Sequence, residues 1–154
     1  MRKLSWEDIE KMTDELAEKI KISGFRPDYI IGITTAGLIP LYFLARKLGN
    51  IRNILTISAN SYNKNKQGEL EIIYLPQIDL SDKKVLLVDE ISGTGTTLKE
   101  ISRILTAKYK VKDLQTATVV ALKDSKKYPD FYALEASDDW LVFPWDKYEF
   151  PEYF

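Results

Sequence analysis

The chain has 154 residues, 45% of them hydrophobic and 29% charged, with 22 basic side chains against 23 acidic ones. That length suits one domain over residues 1–154 with a sizeable core, and the near-zero net charge argues against a nucleic-acid or membrane partner held by bulk electrostatics. Cysteine and histidine are both absent, so disulfides and thiolate chemistry are excluded, and acid–base work falls to carboxylates, lysines, tyrosines or a substrate.

The amino terminus, Met1 to Asp8, lacks the apolar core of a signal peptide, and no run approaches membrane-spanning length. A cytoplasmic location is the expectation. Ser5 with Asp8 three residues on forms a capping box, and Ile9, Met12, Leu16 and Ile20 recur at helical spacing up to a stop at Gly24. Tyr29 to Ile33 is apolar and β-branched and predicts a buried strand. Thr34 to Gly37 then turns, and Leu38 to Leu48 predicts a helix ended by Gly49-Asn50. Ile54 to Ser58 predicts a strand, Ser61 to Gly68 a polar loop, and Glu69 to Tyr74 another strand. Val85 to Val88 is a strand leading to a helix from about Thr96 to Lys108, and strands follow at Thr116 to Leu122 and Phe131 to Leu134. Strands alternating with helices predict an α/β fold: a mostly parallel sheet flanked by helices.

The stretch Val85-Leu-Leu-Val-Asp-Glu-Ile-Ser-Gly-Thr-Gly-Thr-Thr-Leu98 carries most of the chemistry. An apolar strand ends in two carboxylates, Asp89 and Glu90, and a loop of small and hydroxylated residues opens a helix. Backbone N–H groups at such a helix start, with the helix dipole behind them, suit a phosphate dianion. The carboxylates suit a ribose diol or a divalent metal. A Walker loop is excluded because Gly95 is followed by Thr96 rather than Lys, and a dinucleotide fingerprint because Leu98 stands where a third small residue belongs. The bland alternative is a plain strand–turn–helix connection in which Asp and Ser serve as caps.

This stretch resembles the phosphoribosyl-diphosphate (PRPP) signature of type I phosphoribosyltransferases: an apolar strand, two acidic residues, a short spacer, then Thr-Gly-X-Thr. The resemblance implies that Ser92, Gly93, Thr94, Gly95, Thr96 and Thr97 cradle the 5′-phosphate, with Asp89 and Glu90 on the ribose hydroxyls and, with Mg²⁺, on the metal. Three further blocks extend it. Thr34, Thr35, Ala36 and Gly37 match the loop beside the leaving diphosphate, although Thr35-Ala36 stands where the purine branch often has Arg-Gly, which removes a bidentate anion clamp. The segment opening Ser61-Tyr62 is similar to the flexible loop of xanthine–guanine phosphoribosyltransferases, which closes over the reacting centre and excludes water. Lys123, Trp140 and Leu141 fall where that branch reads the purine: a lysine on the 6-oxo group, an aromatic stacked on the ring and a backbone on its edge. Asp146 is implied as a further metal ligand, and the carboxyl-terminal segment as a small base-binding hood. Trp145 reads instead as a packing aromatic.

One departure bears on the base. The 6-oxopurine enzymes usually carry Asp, the proposed general acid/base, where this chain has Gly93, whereas adenine enzymes have a small residue there. Lys123 argues the other way, since an ammonium cannot accept a bond from a 6-amino group. The resemblance thus implies Mg²⁺-dependent purine salvage from PRPP, with guanine, xanthine or hypoxanthine as acceptor, by a homodimer or homotetramer. An adenine enzyme on the same frame, and a PRPP- or nucleotide-binding regulator without turnover, remain as alternatives.

Overall fold

The computed structural model describes residues 1–61, 69–137 and 141–154. In chain order the elements are β1 (Arg2–Lys3), α1 (Trp6–Ser23), β2 (Tyr29–Thr34), α2 (Leu38–Lys47), β3 (Ile54–Ser61), β4 (Leu70–Tyr74), β5 (Lys84–Ser92), α3 (Thr96–Ala107), β6 (Asp113–Leu122), β7 (Phe131–Ala136) and β8 (Leu141–Val142). Two short 3₁₀ turns, Pro144–Tyr148 and Pro151–Tyr153, follow.

Local chemistry sets the helix ends. At α1 the Ser5 hydroxyl accepts the Asp8 N–H at 3.1 Å while the Asp8 carboxylate takes the Ser5 N–H at 2.8 Å. These bonds satisfy donors that a helix start otherwise leaves open, and they hold the Asp8 carboxyl below its usual range. Gly24 closes the helix in the left-handed region at φ 81°, a conformation that costs glycine nothing.

Six strands form the main sheet in the order β4-β3-β2-β5-β6-β7, with every pair parallel except the β3–β4 hairpin. Parallel strands are covered on both faces, so their side chains alternate between two cores. Ile30, Leu86 and Val88 pack against Leu16, Ile20, Leu41 and Leu44 of α1 and α2. Ile31, Ile33, Val85 and Leu87 pack against Leu98, Ile101 and Leu105 of α3. The chain builds β2, β3 and β4 outward in one direction and β5, β6 and β7 in the other. Strand order therefore reverses between β2 and β5, and ligands of open α/β sheets bind beyond the strand ends at such a point.

The hood expected from the carboxyl-terminal segment needs the amino terminus as well. Strand β1 pairs in parallel with β8, Arg2 against Leu141 and Lys3 against Val142, and the Leu4 N–H continues the ladder to the Val142 carbonyl at 2.9 Å. Beneath it Leu4, Ile9, Val119, Val120 and Phe143 are buried together. Trp145 stacks on Phe143 with ring centroids 4.7 Å apart and meets Trp6 at 5.8 Å, so it is a packing aromatic. Among the described residues no helix is long and apolar enough to cross a membrane.

Candidate active site

At the reversal of strand order, the loops that follow β2 and β5 lie side by side and line one open cleft of about 800 Å³. Its described wall holds Thr34, Thr35 and Ala36 from the first loop and Asp89, Glu90 and Ser92 to Thr97 from the second. Ala59, Glu69 and Leu70 from the β3–β4 hairpin and Lys126 from the loop after β6 complete it. The sequence patterns at residues 34–36 and 89–97 are thus parts of one site.

The acidic pair sits on a strand rather than in a loop. Strand β5 runs on to Ser92, and its pairing with β6 continues through Asp89↔Thr118 to Ser92↔Ala121. Its pairing with β2 stops at Gly32↔Val88 although β2 itself runs on to Thr34, and Asp89 and Glu90, just beyond that last pair, line the cleft. Both are half-buried, and the Asp89 carboxylate accepts the Glu90 N–H at 2.9 Å. Burial, followed by the Glu90 carboxylate beside it, raises the Asp89 carboxyl well above the ordinary aspartate range.

Beyond the acids the chain turns sharply into α3. Gly95 has φ +82°, and a Cβ there would lie 2.4 Å from Lys127 N and 2.8 Å from Ser125 Oγ. Only glycine fits both the conformation and the space. Gly95 brings no side chain to cap α3, and the first turn of that helix contains no acidic residue. The positive end of the helix therefore opens on the cleft without a competing carboxylate. Thr94 Oγ1 donates to the Thr96 hydroxyl oxygen at 3.1 Å and accepts the Thr96 N–H at 3.3 Å. Gly93 differs from Gly95, since a Cβ placed on it meets nothing within 4 Å.

Ser92 stands in the cradle by position, but its hydroxyl turns inward. It contacts Ser125 Oγ at 2.7 Å and donates to the Lys127 carbonyl at 2.9 Å, and Ser92 is 2% exposed. The side chain therefore fastens the cradle to the loop after β6. The other loop is built similarly around Gly37, where a Cβ would lie 2.3 Å from the Ile33 carbonyl oxygen. The Leu38 and Ile39 N–H groups that start α2 are taken by the Thr35 and Ala36 carbonyls, at 3.1 and 3.2 Å. The Thr34–Thr35 peptide is cis.

The remaining sequence candidates lie outside this described wall. Gly37 packs behind its loop. Lys123 is exposed and leaves β6 at the same sheet edge, its N–H bonded to the Ala136 carbonyl at 2.9 Å. Leu141 begins β8 in the hood. The Asp146 carboxylate accepts the Phe143 N–H at 2.8 Å, a capping role in the first 3₁₀ turn. Ser61 ends β3 opposite Leu70, whereas Tyr62 and Trp140 lie outside the described residues. Sequence reasoning missed Lys126 and Glu69. Lys126 belongs to no motif, and Glu69 stands at the end of the segment that resembles the flexible loop without having been singled out; both reach the cleft through the folding of distant loops onto it.

Among the described residues no group of three or more potential ligands gathers to hold a metal. Asp89 and Glu90 supply adjacent hard oxygen donors in the cleft, a pair that suits a magnesium-like ion sharing its remaining positions with ligand oxygens and water.

A doubly covered, mostly parallel sheet with an acidic strand end and a glycine- and threonine-rich loop at its switch point makes an α/β protein whose cleft suits a nucleotide. The chain matches the phosphoribosyl transferase domain over residues 4–149 and belongs to that family. It is 34% identical over 151 residues to a xanthine-guanine phosphoribosyltransferase from Cereibacter sphaeroides, covering 93% of this chain and 85% of that one. A purine phosphoribosyltransferase from Pyrococcus horikoshii superposes with a TM-score of 0.79 at 31% identity, over 94% of this chain and 92% of the other. A xanthine-guanine-hypoxanthine phosphoribosyltransferase from Helicobacter pylori gives 0.84 at 25% identity, over 98% of both chains.

Proposed function

We propose that the protein transfers the 5-phosphoribosyl group of PRPP to a 6-oxopurine, forming a nucleoside 5′-monophosphate and diphosphate. The observation that carries this reading is the meeting, in one cleft, of the loop at residues 34–36, the Asp89–Glu90 strand end and the loop at residues 92–97. Its relatives named for xanthine, guanine and hypoxanthine support the choice of base. The single domain over residues 1–154, the cytoplasmic location and a homodimeric or homotetrameric state belong to the same reading, and sedimentation of the purified protein tests the last.

The chemistry follows from charge placement. The bond from C1′ to the diphosphate oxygen breaks ahead of the bond from C1′ to the purine nitrogen, so positive charge develops on the ribose. Asp89 and Glu90 accept hydrogen bonds from the 2′ and 3′ hydroxyls and stabilise that charge. Backbone N–H groups at the start of α3 and the Thr94, Thr96 and Thr97 hydroxyls hold the 5′-phosphate, so binding remote from C1′ fixes the geometry of attack. The loop at residues 34–37 receives the diphosphate through backbone N–H groups and threonine hydroxyls. Mg²⁺, held by Asp89 and Glu90 together with substrate oxygens and with Asp146 as a further candidate, would neutralise charge on the diphosphate. Tyr62 of the flexible loop, with Lys123, Trp140 and the Leu141 backbone, is assigned to closing the site and reading the purine.

The test is direct. Purified protein is incubated with PRPP, Mg²⁺ and guanine, xanthine, hypoxanthine, adenine or uracil, and any nucleotide is identified by mass spectrometry. GMP, XMP or IMP is expected. AMP alone would transfer the assignment to adenine, and no product from any base would leave a binding protein without turnover.

A further inference from the structure

The described wall of the cleft carries three carboxylates, Asp89, Glu90 and Glu69, against a single cation, Lys126. The substrate of the proposed reaction is anionic at both ends of its ribose. A divalent ion held by Asp89 and Glu90 would offset charge on the diphosphate side. On the 5′ side the described residues supply backbone N–H groups, hydroxyls and the Lys126 ammonium.

The segment bearing Lys126 is fastened to the phosphate loop. The Lys126 N–H donates to the Thr94 carbonyl at 2.9 Å. On either side, Ser125 Oγ and the Lys127 carbonyl meet Ser92 Oγ in a triangle with edges of 2.7, 2.9 and 2.9 Å. Two hydroxyl protons serve three contacts there, so the triangle is saturated and has no donor to spare for a ligand. The bare Gly95 lets Lys127 approach, as the 2.4 Å distance from an added Cβ to Lys127 N demonstrates. Backbone on both sides of Lys126 is thereby anchored, while its side chain stays exposed at the cleft and forms no salt bridge among the described residues.

We propose that Lys126 is a substrate-binding residue that places its ammonium on the 5′-phosphate, held there by the Ser92–Ser125–Lys127 triangle. This rests on the phosphoribosyl reading of the cleft. An ammonium is a compact point charge suited to a phosphate dianion. It supplies charge that the neutral residues 92–97 lack.

The test compares GMP with guanosine by calorimetry on the wild type, Lys126→Gln and Lys83→Gln. An exposed charge-assisted bond is worth about tenfold in affinity. Lys126→Gln is expected to weaken GMP about tenfold, leave guanosine unchanged and raise the KM for PRPP while kcat stays close to wild type. Lys126→Arg should restore most of the GMP affinity, and Lys83→Gln, at an exposed lysine before the far end of β5, should change little. Equal losses for GMP and guanosine would move Lys126 to the base side and overturn the proposal, as would unchanged GMP affinity with a normal melting curve. A wild type that binds GMP no more tightly than guanosine would overturn the phosphoribosyl reading together with it.

Discussion

Replacing Gly95 with alanine tests how the phosphate loop is held, and the structure sets the size of the effect. A non-glycine residue in the left-handed region at φ +82° costs about 1–2 kcal/mol. The new methyl would also lie 2.4 Å from Lys127 N and 2.8 Å from Ser125 Oγ. Backbone cannot yield as a flexible side-chain tip does, so the loop after β6 must move away. That puts at risk the Lys126-to-Thr94 bond and the Ser92 contacts, each worth about 1 kcal/mol. With all of them lost the total is about 4–5 kcal/mol, which for a protein of this size lowers Tm by roughly 8–20 °C. Because the same movement shifts phosphate donors, kcat/KM for PRPP should fall about a hundredfold. The control is Gly93→Ala in the same loop, where nothing lies within 4 Å and φ is not positive. Its Tm should stay within about 2 °C of wild type. Thermal melts of both variants, with initial rates at varied PRPP for Gly95→Ala, decide the matter. If Gly95→Ala melts with Gly93→Ala and keeps its KM for PRPP, the close packing of the two loops is not what holds the cradle.

Three other expectations can be measured on the same protein. Asp89→Asn should reduce turnover by about two to three orders of magnitude yet stabilise the ligand-free fold at neutral pH. The raised Asp89 carboxyl means the native state holds that proton more tightly than the unfolded chain, so wild-type stability erodes as pH rises from 3.8 through the elevated folded value. The Tm advantage of the variant should therefore vanish below 3.8 and grow towards neutrality; a pH-independent difference would refute the burial argument. Gly93→Asp has room for its side chain and should raise the 6-oxopurine rate by at least about tenfold if a missing acid/base group limits it. An unchanged rate in a folded variant would remove that explanation. Leu4→Ala, at a 3% exposed position beneath β1 and β8, should cost about 2–4 kcal/mol and raise the KM for the purine more than that for PRPP. Equal changes in the two constants would separate the hood from base binding.

Much of this protein is written in local sequence. The Ser5–Asp8 box, the Gly24 stop and the apolar runs of β2 and β5 are short-range signals, because caps and strand burial are decided within a few residues. The grouping of small, hydroxylated and acidic residues at 89–97 is equally local, since a phosphate loop is made from consecutive backbone. Other features had no such signal. Strand β1 has two residues, too few for any periodicity, and it exists only because β8 offers it a partner. The inward turn of Ser92 and the arrival of Lys126 at the cleft depend on a loop more than thirty residues away folding against Gly95.

The sequence by itself determined where small and hydroxylated residues open a helix, where carboxylates end a strand and that strands alternate with helices. Only the tertiary structure decided that the loops after β2 and β5 adjoin, that Asp89 and Glu90 lie at the cleft just beyond the last β2–β5 pair, and that one lysine from the loop after β6 reaches the wall. The physical reason is that parallel neighbours are never joined by a local turn. Strand order is chosen by burying both faces of the sheet at once, and that choice is a property of the whole chain.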